Sequence, residues 1–307
     1  MKIDKDLLHR FEKGLNPQRI ERSGIPAQLL GYGEISAIFR IQGDDRMAFK
    51  RMPLFTVRQA AEEYVELYGE YCRLLEAAGL SLPATETAIV QVPGRPVVVY
   101  IAQERLPTDR FGHRLLKALD GKSGLQLVEQ VAREIAKVWR YNEASAPETE
   151  LALDGQISNW VRQEERAGGG LVYIDTSTPL LRLKGVEQLD PESLLKSAPA
   201  FLRWILRWLF MDDVMNRYYD HRQVLIDIAA NFYKEQCPEL IPGAVDIFNK
   251  KLLAGQNPLT AADVDKYYRE DKMIWRLFLA FRRVDRFLTT KFLRRRYEFI
   301  LPGKIER

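Results

Sequence analysis

The sequence predicts an α+β protein: a five-stranded antiparallel sheet carrying one helix, followed by a mainly helical half. Three observations predict it. Short apolar strands bounded by turn residues fill residues 27–102, and one amphipathic helix interrupts them at 57–78. Beyond residue 103 apolar positions recur mainly at helical spacing. A short polar linker, Gln103-Glu104-Arg105-Leu106-Pro107, separates the two regimes.

The elements follow in order. Residues 27–30 and 37–41 read as strands around the turn Gly31-Tyr32-Gly33-Glu34-Ile35-Ser36. Glycines there let the backbone approach an anion and present N–H groups to it, although a plain hairpin turn uses them too. In Met47-Ala48-Phe49-Lys50-Arg51-Met52 a lysine punctuates an apolar strand. An inward Lys50 is costly to bury without an anion, and a phosphate would supply one; an edge-strand lysine that resists aggregation is the plainer alternative.

In the helix 57–78, Ala60, Tyr64, Leu67, Tyr68, Tyr71, Leu74 and Leu75 make the apolar face, and Glu62, Glu66 and Glu70 form a stripe. One of these acids could reach back to Lys50, Glu70 before Glu66; a solvated acidic face is the alternative. Gly79 ends the helix. Two more strands, 86–92 and 96–102, flank Pro93-Gly94-Arg95.

In the second half, helices are predicted over 121–143, 199–220, 223–236, 243–253 and 261–296, the last open to breaks, with Pro238, Pro242 and Pro258 separating the middle ones and Thr260 as an N-cap. Between the first two helices lie Asp154-Gly155-Gln156-Ile157-Ser158-Asn159, of the form D-x-x-x-x-N, and Leu171-Val172-Tyr173-Ile174-Asp175, an apolar strand ending in aspartate. Asp and Asn are common in loops. Brought to one mouth, however, three such side chains can orient a hydroxyl and hold Mg²⁺ on nucleotide phosphates.

Taken in this order, the pieces resemble the protein-kinase-like superfamily, on the side of the aminoglycoside and choline phosphotransferases. The stretch Leu74-Leu75-Glu76-Ala77-Ala78-Gly79-Leu80-Ser81-Leu82-Pro83 is similar to the end of that family's helix and the proline before its fourth strand. The resemblance covers about residues 27–180 and implies a two-lobed kinase-like fold. It implies an extension at 1–19, a nucleotide-binding sheet lobe at 20–102 and a helical lobe at 103–307.

The roles it implies are these. Gly31, Gly33 and Ser36 would cover the phosphates of ATP, and Lys50 would contact them, held by Glu70 or Glu66. The backbone of Gln103, Glu104 and Arg105 would bind adenine. Asp154 would be the catalytic base, and Asn159 and Asp175 would bind Mg²⁺. The implied activity is phosphoryl transfer to a hydroxyl of a small-molecule acceptor.

Departures from the family pattern point to the alternative, a pseudokinase that binds nucleotide or a partner as a scaffold. Ala152-Leu153 stands where the family has a histidine before its catalytic aspartate, and Thr176-Ser177-Thr178 follows Asp175. Ser36 replaces the third glycine of the turn.

Composition bounds the rest. At 307 residues and 46% hydrophobic, the chain can build one large two-lobed domain or two small ones. A formal net charge of +4 gives no reason to expect a nucleic acid partner. Two cysteines cannot make a disulfide framework, and the charged N-terminus has no signal core, so a cytoplasmic location is expected. His9, His113 and His221 lack metal-ligand spacing, and no Walker motif or G-x-S-x-G elbow occurs. Two basic aromatic stretches, Phe201 to Phe210 and Arg282 to Tyr297, read as lobe-packing helices in preference to a surface resting on anionic membrane or a cationic pocket for a phosphorylated or nucleic acid substrate.

Overall fold

The computed structural model describes residues 2–33, 36–163, 170–189 and 215–301. Five antiparallel strands form a sheet in the order β1-β2-β3-β5-β4. They are β1 (Ala27–Tyr32), β2 (Ala37–Ile41), β3 (Asp44–Phe55), β4 (Thr85–Val90) and β5 (Val97–Glu104). The expected α+β class and five-stranded sheet are therefore present. The helix α2 (Arg58–Ala77) packs on one face through Ala61, Tyr64 and Tyr68, against Met52, Val99 and Ile101.

The other face of the sheet is covered by the N-terminal helix α1 (Lys5–Gly14). Asp4 caps it by accepting the N–H of Leu7 at 2.9 Å. Its Leu7, Leu8 and Phe11 pack with Phe39, Phe49 and Tyr100. The N-terminal extension is thus a packed helix: with Ile3 and Leu15 at its ends it joins the core on this face of the sheet. Ile300 joins the same cluster, so the chain returns to the sheet near its end.

The pleat of β3 sends neighbouring side chains to opposite faces. Arg51 points under α1, where its Nε and Nη2 donate to Glu12 at 2.7 Å each. Nη2 also reaches Glu298 Oε2 at 2.9 Å, and Nη1 donates to the Glu298 carbonyl at 2.7 Å. Tyr100 donates to Glu12 Oε2 at 2.5 Å. Burial pushes the Glu12 carboxyl up, but the Arg51 guanidinium outweighs it and holds the group below its ordinary range.

The helical half is built around α3 (Gly112–Ala118) and α4 (Gly121–Ser145). In α4, Leu127, Val131, Ile135 and Val138 form a fully buried stripe, as their spacing predicts. Next to it lies α6 (Ile241–Asn249), with α5 (His221–Lys234) against α6 and the long α7 (Ala261–Phe287) against α5. Thr260 and Asp263 close a capping box at the start of α7. A π-helical turn, Leu288–Phe292, ends the helical run that the sequence predicts to continue to 296.

Short strands pair between α4 and α5: β7 (Trp160–Arg162) with β8 (Leu171–Tyr173), and β6 (Thr149–Leu151) with β9 (Leu181–Leu183) and β10 (Val186–Glu187). The predicted helix 199–220 lies outside the described residues except for 215–220, of which 215–219 are helical. The aromatic stretch Phe201 to Phe210, with Glu34 and Ile35 of the glycine turn, also lies outside them. Among the described residues no helix is long and apolar enough to cross a membrane.

Candidate functional site

A cleft of about 300 Å³ opens between the sheet and the helical half. It gathers residues from across the chain: Tyr32, Gly33 and Ser36 from the turn, Lys50 from β3, Asp154 and Asn159 from the loop after β6, and Asp175 after β8. The sequence-predicted set is thereby brought together in its central members.

Lys50 stands on the opposite face of β3 from Arg51. Its Nζ meets Asp175 Oδ1 at 2.7 Å and donates to Ser177 Oγ at 2.6 Å. Ser177 in turn donates to Asp175 Oδ1 at 3.1 Å. Burial would raise the Asp175 pKa, but Lys50 and the Ser177 bonds outweigh it and hold the carboxyl below its ordinary value.

The aromatic face of α2 clamps this segment. Tyr64 donates to the Ser177 carbonyl at 2.8 Å, and Tyr68 shares a hydrogen bond with Thr176 Oγ1 at 3.0 Å. The unusual Thr176-Ser177 pair therefore has a packing reason: both hydroxyls have partners in a buried seam.

The loop carrying Asp154 is held without a histidine. Tyr71 donates to the Ala152 carbonyl at 2.7 Å. Asn142 of α4 brackets Leu151, donating to its carbonyl at 2.7 Å and accepting its N–H at 2.9 Å. Asp154 Oδ1 accepts the Gln156 N–H at 3.0 Å, and Asn159 Nδ2 donates to the Asp154 carbonyl at 3.2 Å. A side chain at Gly155 would meet Val224 at 2.8 Å and Ile135 at 3.0 Å, so glycine lets the loop lie on α4 and α5. The N–H of Ile174 closes on the Asn159 carbonyl at 3.0 Å, tying the loop to the segment that bears Asp175.

The turn over the cleft is tight. The Gly33 N–H donates to the Ser36 carbonyl at 3.0 Å, and any side chain at Gly33 would run into Ser36 Oγ. Gly31 lies in β1 beside a register shift between Leu29 and Gly31.

Other expected residues are placed elsewhere. Glu66 and Glu70 do not approach Lys50. Glu66 is exposed, and Glu70 bonds Arg73 at 2.6 and 2.9 Å on the solvent side. At about 100° per residue, Glu66 lies roughly opposite Tyr68, the residue that faces the site. The acidic stripe is a solvated face.

At the linker, the Gln103 amide donates to the Ile174 carbonyl at 3.0 Å. The N–H groups of Glu104 and Arg105 are taken by Ala84 and Arg46 carbonyls, at 3.0 and 2.8 Å. These three residues stitch the sheet to the segment before Asp175 and to its own edge. Their expected role as donors to a base is not open to those two N–H groups.

Sequence reasoning missed the far end of the cleft. Asp227 and Lys234 of α5, and Tyr267, Tyr268 and Asp271 of α7, line it with Asp154. Burial raises the Asp154 pKa well above its ordinary value, and the charges of Asp227 and Asp175 raise it further. Burial, with Asp271 nearby, pushes the Asp227 carboxyl up to about 7 despite Lys234. Lys234 Nζ donates to Gln156 Oε1 at 3.2 Å. One signal existed: Asp227 interrupts the apolar run Val224-Leu225-Ile226-Asp227-Ile228-Ala229-Ala230.

Among the described residues no group of three or more His, Cys, Asp or Glu side chains is arranged to hold a metal ion. Asn159 and Asp175 offer one carboxamide and one carboxylate. Such a hard-oxygen pair fits Mg²⁺, which binds through one or two carboxylates with waters and substrate phosphates.

No curated protein matches the sequence. A family model described as "Family of unknown function (DUF6206)" matches residues 15–286, a span that takes in the whole of the sheet, the cleft and α7 almost to its end. The chain belongs to that family, DUF6206.

Proposed function

We propose that the chain is a kinase-like, two-lobed phosphotransferase that uses ATP and Mg²⁺ to phosphorylate a hydroxyl of a small molecule. One observation carries the reading. Lys50 from the sheet and Asp175 from the helical half, 125 residues apart, meet at 2.7 Å on the wall that also holds Asp154 and Asn159.

In this reading Lys50 and the turn at Gly33 and Ser36 position the nucleotide phosphates, and Asp175 and Asn159 hold Mg²⁺, which neutralises phosphate charge. Catalysis then rests on positioning and electrostatics, because phosphoryl transfer asks for little covalent help. Asp154 orients the acceptor hydroxyl and takes its proton. Burial first, and then the neighbouring carboxylates, raise its proton affinity, which favours that role. The acceptor would enter between Asp154 and the α5–α7 wall.

The test is thermal stability of the pure chain with ATP and with GTP, each with and without Mg²⁺, beside Asp175→Ala. The expected result is a metal-dependent rise in Tm that the variant loses. No rise with either nucleotide would overturn the assignment. A second reading, a scaffold that binds nucleotide without turnover, draws on α2 presenting Tyr64 and Tyr68 where a carboxylate would hold Lys50. A Mg²⁺-dependent Tm rise without ATP consumption across a panel of hydroxyl acceptors would favour it.

A further inference from the structure

The long helix α7 is poorly covered for its length: of its 27 residues only Val264 and Arg282 are buried. It has two opposed faces. Tyr267, Tyr268, Asp271 and Trp275 turn toward the cleft. On the other side Met273, Leu277, Val284 and Phe287 are 63%, 39%, 45% and 61% exposed. At about 100° per residue these four fall within an arc of roughly 80°, a single stripe about 21 Å long. The turn after the helix extends it with Phe292, 81% exposed, and Leu293, 55%.

Charge on the same stretch is one-sided. Between residues 272 and 296 the sequence holds nine Lys or Arg and one acid, Asp285. Arg276 and Arg283 are exposed beside the apolar stripe, and Lys291, Arg294 and Arg295 are exposed in the turn beyond it. Large apolar tips set among cations are the chemistry of a helix lying in a headgroup layer: the tips enter the acyl boundary and the cations meet lipid phosphates.

We propose that the outer face of α7 and the turn beyond it dock on an anionic lipid bilayer, with the helix axis in the plane of the headgroups. Charge complementarity selects this occupant. A second copy would press two cationic fields together. A nucleic acid would satisfy the arginines but leave Met273, Leu277 and Val284 in water. The contact proposed is peripheral, along one face of the helix. Because the lipid face and the cleft face are opposite sides of one helix, adsorption leaves the cleft accessible. The proposal stands on exposure and charge alone and does not depend on the phosphotransferase reading.

Co-sedimentation of the full chain with phosphatidylcholine vesicles, with and without phosphatidylserine, tests it. The chain should pellet with the anionic vesicles only, and added salt should weaken the binding. Met273→Ser/Phe287→Ser/Phe292→Ser should lower partitioning by about tenfold or more, from the loss of buried apolar area. Its Tm should stay unchanged, since all three side chains are exposed, and an unchanged Tm confirms folding. Arg276→Gln/Arg283→Gln, which flank the stripe, should also weaken binding, which guards against a defect peculiar to the first variant. Failure to pellet with anionic vesicles overturns the proposal. So does binding that the serine variant retains in full while an RNA oligonucleotide competes for it, which would point to a soluble polyanion. Self-association in sedimentation without lipid binding overturns it in favour of a second copy.

Discussion

Lys50 and Arg51 are neighbours on one strand, both largely withdrawn from solvent, and the protein treats them in opposite ways. Arg51 is closed into a knot where each charge meets its counterpart: Glu12 at 2.7 Å, Glu298 at 2.9 Å, and Glu298 again from Arg296 at 2.7 Å. Lys50 faces a cleft lined by four carboxyls, Asp154, Asp175, Asp227 and Asp271, against two lysines, itself and Lys234. The knot is complete and serves the fold. The cleft holds an imbalance: burial and neighbouring carboxyls push Asp154 and Asp227 up, the pattern expected of a candidate functional site. Burial of a cation alone distinguishes nothing; the state of its partners does.

Four substitutions sharpen or break this contrast. Arg51→Ala strips a buried ion network and should cost about 3–5 kcal/mol, read by denaturant unfolding. Lys50→Met should cost less, about 1–2 kcal/mol, because Asp175 stays partly exposed and keeps Ser177. It should also abolish any nucleotide-dependent rise in Tm. Equal destabilisation by the two variants would break the comparison.

Tyr71→Phe removes the hydroxyl that holds the Ala152 carbonyl and should cost about 1 kcal/mol. It should lower turnover more than nucleotide binding, since it loosens only the loop of Asp154. The smallest effect has the opposite sign. A carboxyl held above its unfolded value favours folding fully below that value, and the contribution is lost as pH rises through about 7. Asp227→Asn should therefore raise Tm at pH 8, by about 2 °C, and make no gain at pH 4. A fall in Tm at pH 8 would show that Asp227 is satisfied as an anion.

Local pattern made much of this legible. Lys50 stood out because a charge interrupts an apolar strand, and the α4 stripe because apolar residues return each turn. Asp154, Asn159 and Asp175 were readable because chain order brings a loop and a strand end together. What depends on approach across the fold was hidden. Tyr71 and Asn142 hold the Asp154 loop only because α2 and α4 pass it. Asp271 reads as one more solvated charge until α7 lies against α5. Glu66 and Glu70 misled because spacing of four residues describes a solvent face as well as a functional one. The outer stripe of α7 illustrates the same ambiguity: its apolar spacing predicts a packed helix, and the structure leaves it uncovered.

The Arg51 knot also has a bearing on how the chain is made. Its last partner, Glu298, leaves the ribosome 247 residues after Arg51, a delay of about 12–50 s at ordinary elongation rates. Throughout that interval the emerging sheet carries a guanidinium whose second carboxylate has yet to be synthesised. The amino-terminal third of the protein therefore reaches its final form only after the segment that bears Glu298 has emerged.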